Sequence, residues 1–247
     1  MSRQIDLEVA ELEPLNDMRF ISIPPFRPEA EKRDTKRALD LLQKAERPVI
    51  VSGGGVKYSN AAPQLCQLAE SLNIPVATSL NGKDTFLGNH PLSAGVAGTY
   101  SRSSANHIIG EADLVCFIGS KTGGMTTHFW QVPPTDKDII QIDIDPQVIG
   151  INYPLKAAVN GDARSVLETM IELMDKSTAS RRTNWKIRIK EIVDSWYTEF
   201  DTLLKSDDIP IRPERLCSDL TNYVPDDSFI VVDTGHAGMW MGGMYDL

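Results

Sequence analysis

Short apolar runs that alternate with helical stretches constrain this chain more than any other feature. Pro48-Val49-Ile50-Val51, Pro75-Val76-Ala77-Thr78, Leu114-Val115-Cys116-Phe117-Ile118, Ile139-Ile140-Gln141-Ile142-Asp143-Ile144 and Ala157-Ala158-Val159 each run into a turn or loop. Helical patterns separate them near residues 60–72, 103–109 and 163–174, and another at 35–45 precedes the first run. Runs apolar on both faces make strands buried on both sides, which points to a parallel sheet between layers of helix. Right-handed crossovers then give an α/β fold, doubly wound and mostly parallel, with six strands and helices on both faces in a Rossmann-like manner. Any ligand belongs at the carboxyl ends of the strands.

The flanks read differently. Residues 1–34 form an extended linker, interrupted by Pro14, Pro24, Pro25 and Pro28,. Asp34 is the expected N-cap of the 35–45 helix, which buries Ala38, Leu39, Leu42 and Ala45,. After the 35–176 domain comes a polar hinge at 175–182, followed by a helix over 183–204 within a helical linker that extends to 211. Trp185, Ile189, Ile192, Trp196, Phe200 and Leu203 form that helix's apolar stripe,. Pro213 fits a first helical turn, with Leu216, Leu220 and Tyr223 expected on its buried face,. One further strand is predicted at Phe229-Ile230-Val231-Val232, opening a second domain over 212–247. Too few residues follow it to build the covering helix, so the sequence implies either a fragment of a longer protein or a last segment that needs a partner to cover it.

Bulk properties narrow the partners. A formal net charge of −9 without a basic cluster disfavours nucleic acid and anionic membrane surfaces,. No apolar run nears the roughly 20 residues of a membrane span, and Met1-Ser2-Arg3-Gln4-Ile5-Asp6 lacks the apolar stretch of a signal peptide,. Cys66, Cys116 and Cys217 are odd in number and lie among apolar residues, as buried free thiols of a reducing cytoplasm would,.

Several positions offer binding chemistry. Gly53-Gly54-Gly55 follows the first strand, where backbone can approach a phosphate, although Tyr58 breaks the G-x-G-x-x-G spacing,. A tight strand-to-helix turn explains the same glycines. Gly119-Ser120-Lys121-Thr122-Gly123-Gly124 also stands at a strand end, with Lys121 either meeting a phosphate or lying solvated. Asp143 is a candidate for ribose hydroxyls, whereas Asp145 before Pro146 reads as a helix N-cap,. Gly161-Asp162 carries the same ambiguity between ligand and cap. His90, His107, His128 and His236 are isolated, with no cysteine partners at metal spacing, and no catalytic constellation or metal site can be assembled,.

Together these features resemble a known family. Arg47-Pro48-Val49-Ile50-Val51, Pro75-Val76-Ala77-Thr78-Ser79, Gly95-Val96-Ala97-Gly98-Thr99, Ala105-Asn106 and Ala112-Asp113-Leu114-Val115 stand in order. Ile142-Asp143-Ile144-Asp145-Pro146, Ile149-Gly150 and Gly161-Asp162-Ala163 continue the series. The order resembles the central domain of thiamine diphosphate (ThDP) dependent enzymes of the acetolactate synthase and pyruvate oxidase type. The resemblance implies a 2-keto acid decarboxylase or carboligase that uses ThDP and Mg2+ in a homo-oligomer, with residues 212–247 opening the diphosphate-binding domain. It implies that Gly235 and His236 lie in the loop reaching the ThDP diphosphate. It also implies FAD, an adenine nucleotide or no ligand in the central domain. The matching nucleotide positions are Gly53, Gly54, Gly55, Thr78, Ser79, Leu80, Gly119, Lys121, Asp143, Ile144, Asp162 and Ala163. Two departures stand out. The flavin branch carries an arginine-rich loop where this chain has Lys121, a point charge rather than a guanidinium fork. His236-Ala237 follows Gly235 where acetolactate synthases tend to show Gln-His. The family's activating glutamate and G-D-G…N metal motif do not occur in these residues, so the resemblance implies that the chain does not turn over alone. A non-catalytic module for an adenine nucleotide, CoA or NAD is the rival reading.

Overall fold

In the computed structural model, which describes residues 11, 13, 17–225, 227–233 and 235–246, six parallel strands form the centre. They are β1 (Pro48–Ser52), β2 (Val76–Thr78), β3 (Ser93–Val96), β4 (Leu114–Ile118), β5 (Asp138–Asp143) and β6 (Ala157–Asn160), in the order β3-β2-β1-β4-β5-β6. The helices are α1 (Met18–Ile21), α2 (Lys32–Lys44), α3 (Gly54–Tyr58), α4 (Ala62–Leu72), α5 (Ser103–Glu111), α6 (Ala163–Leu173), α7 (Thr183–Leu204), α8 (Pro213–Tyr223) and α9 (His236–Met244). The α/β class with helices on both sheet faces stands as the sequence indicates.

Strand alternation divides the core. Ile50, Cys116, Ile118, Ile140 and Ile142 face one way and pack on Leu39 and Leu42 of α2, Leu65 and Leu68 of α4 and Leu167 of α6. Val49, Val51, Val115, Phe117 and Ile139 face the other way and meet α5 and Trp185, Ile189 and Ile192 of α7,. Each fully buried side chain of this size contributes about 2 kcal/mol of transfer free energy.

Strand β3 lies in what reads, in the sequence, as a glycine-containing loop. Its residues Ser93-Ala94-Gly95-Val96 are mostly small, so no apolar run marks them. Helix α2 begins at Lys32, earlier than expected, and its N-cap is Glu31 without a side-chain cap bond. Asp34 sits instead in the first turn, where its charge complements the helix dipole,. The polar hinge is a short 3₁₀ helix, Lys176–Arg182, and ends on an arginine that is 1% exposed. Arg182 donates to the carbonyls of Leu42, Gln43 and Ala45 at the end of α2 and to Leu72 at the end of α4. Those carbonyls have no partner within their helices, so the guanidinium serves as a shared C-cap.

Two expectations at the carboxyl end fail. Helix α8 buries Glu214 and Cys217 and leaves Leu216 and Tyr223 exposed, because Cys217 faces α9, with its Sγ 3.6 Å from Met241 Sδ. Residues 229–232 are not a strand: they pair with neither sheet edge, and Phe229 is 97% exposed. Apolar alternation alone makes no strand without a neighbour to accept its hydrogen bonds. Among the described residues no helix is long and apolar enough to cross a membrane.

Candidate functional site

The strand order reverses direction between β1 and β4, which makes their carboxyl ends the switch point of the sheet,. Because all six strands are parallel, Gly53-Gly54-Gly55, Thr78-Ser79-Leu80, Gly119, Lys121, Asp143-Ile144 and Asp162-Ala163 all come to this one edge. Gly235 and His236 open α9, whose far end packs over the loops after β2 and β3.

At the switch point itself the glycines hold chain against chain. Gly53 N–H donates to Ile118 O at 2.8 Å, Gly55 N–H to Gly119 O at 3.0 Å, and Gly119 N–H to Ile142 O at 2.8 Å. A Cβ on Gly55 would lie 2.6 Å from Gly119 Cα, and one on Gly53 would land on the Gly119 carbonyl. Gly119 also holds φ at 60°, the left-handed region that glycine tolerates,. The amides of Gly53 and Gly55 are therefore committed to carbonyls of the protein, and the cradle they form is filled by its own backbone. Gly54 differs: its Cβ would have 3.5 Å to Asn81, which leaves room.

Further along the edge, Ser79 Oγ accepts from Gly82 N at 3.2 Å and caps the 3₁₀ turn Leu80–Thr85, while Thr78 is buried in the sheet. Leu80 reaches toward α9, with its Cδ1 3.0 Å from where a Gly242 Cβ would sit. The β4–β6 half is more open. Lys121 is exposed, and its carbonyl accepts from Asn152 at 3.2 Å. Asp143 is nearly buried, and its Oδ1 accepts from Asp145 N at 3.0 Å. Burial pushes this carboxyl above its ordinary value, against the pull of the Asp145 amide. Ile144 is exposed beside it. Asp145 caps a turn rather than a helix, accepting from Gln147 N at 2.9 Å, because residues 146–150 form turns.

Asp162 takes the cap role. It is 2% exposed, and its Oδ1 accepts from Arg164 N at 3.1 Å, Ser165 N at 3.2 Å and Arg27 Nη1 at 3.1 Å. Its Oδ2 accepts from Ser59 Oγ at 2.7 Å. The carboxylate thus starts α6 and pins residues 27–30 to the domain. Ala163, the first residue of α6, is buried.

Chain folding also gathers residues that look isolated in the sequence. Cys66 and Glu70 of α4 meet His90, with ligand atoms within 4.8 Å of one another. Cys66 is only half-buried, unlike the buried thiol expected. His90 Nδ1 accepts from Leu92 N at 3.1 Å, which leaves the proton on Nε2, 3.2 Å from Glu70. That arrangement is a hydrogen-bonded pair and offers no ring lone pair to a metal. The functional-looking residues that sequence reasoning missed are half-buried Lys83 and buried Arg102, both beneath α9; nothing in their local sequence marks them.

Comparisons with known proteins agree with this architecture. The family description that matches is thiamine pyrophosphate enzyme, central domain, over residues 35–170. Among curated relatives, the "Probable acetolactate synthase large subunit" of Methanococcus aeolicus is 35% identical over 85% of this chain and 37% of its own length. The protein of the same description from Methanocaldococcus jannaschii is 32% identical over 91% of this chain and 39% of its own. The "Sulfoacetaldehyde acetyltransferase" of Roseovarius nubinhibens is 31% identical over 78% of this chain and 33% of its own. The chain thus spans about two fifths of the length of the first two relatives. A match across more than half of the residues, on a six-stranded parallel sheet, shows that the chain belongs to the thiamine pyrophosphate enzymes and carries their central domain.

Proposed function

We propose that this chain is the central part of a cytoplasmic, homo-oligomeric ThDP- and Mg2+-dependent enzyme that cleaves or joins bonds next to the carbonyl of a 2-keto acid, in the manner of the acetolactate synthases. The observation that carries the reading beyond the family match is the docking of α9. This nine-residue helix begins at Gly235 and His236, and Gly235 holds φ at 110° with nothing within 4 Å of where its Cβ would be. An open, glycine-headed helix start fits a cofactor diphosphate, since first-turn amides have no acceptor within a helix and the positive end of the dipole lies there. When bound, ThDP would supply the carbanion chemistry. The chain's own residues hold the far end of that helix on the loops after β2 and β3.

For the central domain we propose an adenine nucleotide or FAD along the carboxyl edge, from the turn after β1 across the open β4–β6 half. Lys121 would face the phosphate, Asp143 would accept from the ribose, and Gly54 would give the closest backbone approach. The filled Gly53–Gly55–Gly119 seam is a poor fit to a diphosphate cradle, so the phosphate contact falls to Lys121 and Gly54.

An absorbance scan of the purified chain, with mass spectrometry of what heat releases, tests the second part. Flavin bands with released FAD, or a released adenine nucleotide, support a nucleotide site; a clean spectrum with nothing released overturns it for this chain. The first part is tested by carbon dioxide release from 2-keto acids, using residues 1–247 joined to a pyrimidine-binding domain and to a G-D-G…N-bearing domain of the same gene. No ThDP-dependent turnover of any 2-keto acid would remove the reading.

A further inference from the structure

Half-buried Lys83 and buried Arg102 meet at the carboxyl end of α9. Lys83 Nζ donates to Gly242 O at 3.1 Å and to Tyr245 O at 2.6 Å. Arg102, 3% exposed, donates from Nε to Gly243 O at 2.9 Å and from Nη2 to Asp246 Oδ1 at 2.8 Å. Its guanidinium carbon stands 4.2 Å over the Trp196 ring, and Tyr197 Oη, which accepts from Arg102 at 3.3 Å, donates to Asp246 Oδ2 at 2.8 Å. Close approach makes this geometry possible: a Cβ on Gly242 would lie 2.9 Å from Tyr100 O, and one on Gly243 2.9 Å from Ser101 O. Last-turn carbonyls carry the negative end of the helix dipole and lack partners inside the helix. Here they find theirs on the loops after β2 and β3.

We propose that Lys83 and Arg102 form a paired cation clamp on the carboxyl end of α9, which fixes this helix, and the Gly235–His236 turn at its other end, against the central sheet. Both are positioning residues. The clamp rests on side chains of this chain alone; only the importance of the Gly235–His236 turn rests on the function proposed above.

The clamp has a pH signature that an ordinary packing contact lacks. Lys83 faces Arg102, Asp246 and Cys217, and Glu214, paired with Arg212, lies against Cys217. Burial first, then Arg102, brings the docked Lys83 amine down to about 8, with Asp246 and Cys217 opposing. Released into water, the amine returns to its ordinary 10.5. Between these values the undocked chain holds more protons, so docking strengthens as pH rises, and the neutral amine still donates to both carbonyls. Cys217 acts in the opposite sense above its ordinary 9.0, because burial pushes its docked thiol up to about 11. The informative window therefore ends near pH 9.

Hydrogen exchange read by mass spectrometry on the 247-residue chain at pH 7, 8 and 9, corrected for intrinsic exchange, tests the clamp. In the wild type, protection of the 236–246 peptide should rise about fivefold from pH 7 to 9, the Lys83 gain of about tenfold being halved by Cys217 at pH 9,. In Lys83→Met it should fall about tenfold at pH 9 and no longer rise with pH, while β1 and β4 peptides keep their protection. Unchanged α9 protection in Lys83→Met, or a wild-type profile that is flat or falling, overturns the proposal. If Lys83→Met loses protection everywhere, the wild-type profile decides by itself. A failed 2-keto acid assay would leave this result standing, and the reverse also holds.

Discussion

Buried Arg182 and half-buried Lys83 are both cations that cap helix carboxyl ends, yet they differ in basicity,. Arg182 ties the ends of α2 and α4 together through carbonyls alone, inside the central domain. Burial lowers its guanidinium to about 10, so it stays charged at neutral pH. Burial first, and then the second cation Arg102, drop the Lys83 ammonium to about 8. The first cap is a fixed part of the core. The second lies where a separate helix meets the domain, and its proton is close to exchangeable at physiological pH. The difference teaches that a cation over helix carbonyls can be a permanent fastener or an adjustable one, depending on whether it is a guanidinium or the less basic ammonium, since burial is the first cause of the fall in both,.

Removing the fixed cap should have the larger effect. Arg182→Met keeps much of the apolar stem but leaves the end carbonyls of two helices unpaired, which costs about 3 kcal/mol of global stability. Urea unfolding followed by circular dichroism should show the midpoint falling without a change in slope. A midpoint within error of wild type would mean that water satisfies those carbonyls, and the contrast between the two caps would fail.

Next in size is the glycine seam. Gly53→Ala would drive a methyl into the Gly119 carbonyl and should cost about 2–3 kcal/mol, as overpacking does,. Gly54→Ala has 3.5 Å of clearance and should stay within about 0.5 kcal/mol,. Thermal melts of the two variants side by side check this. Equal losses would show that the seam is not held by backbone contact. If the open half of the edge binds a nucleotide, Gly54→Val should abolish that binding while the fold persists.

A third, more local effect separates the two caps directly. Between pH 7 and 9 exchange protection at α9 should rise about fivefold, about 1 kcal/mol, while the α2 and α4 termini under Arg182 should not respond. Protection rising at both would point to a general alkaline stabilisation, and Lys83 would lose its special place.

How much of this was legible in the sequence follows from what each signal measures. Apolar runs identify β1, β4 and β5 because those strands are buried on both faces, and the 183–204 stripe identifies α7, whose bounds the structure reproduces. Strand β3 escapes because Ser93, Ala94 and Gly95 fill a tight space with little side chain. The α8 face is misjudged because Cys217 and Glu214 are turned inward by the neighbouring helix, a tertiary effect that no 3.6-residue period encodes. Asp145 and Asp162 both read as caps or ligands, and only Asp162 caps a helix, since Pro146 leads into turns. At the candidate site the strand-end glycines were visible, but their pairing across β1 and β4 was not. Nor were Lys83 and Arg102, whose partners lie more than a hundred residues away.

The smallest expected effect bears on the open half of the edge. Asp143 is an acid whose folded value is raised by burial, so the native state holds its proton to higher pH than the unfolded chain does. Stability is then lost as pH rises from the ordinary 3.8 to the raised value, and at neutral pH the carboxylate is a modest burden,. Asn preserves an oxygen for the Asp145 amide and removes that burden, so Asp143→Asn should be neutral or stabilising by about 0.5 kcal/mol. Such a residue is easier to explain by ligand contact than by folding. If the variant keeps its stability and loses nucleotide affinity, Asp143 belongs to a binding site. If it loses several kcal/mol instead, the carboxylate is a structural part of the β5 turn, and the open half of the edge no longer differs in kind from the glycine seam beside it.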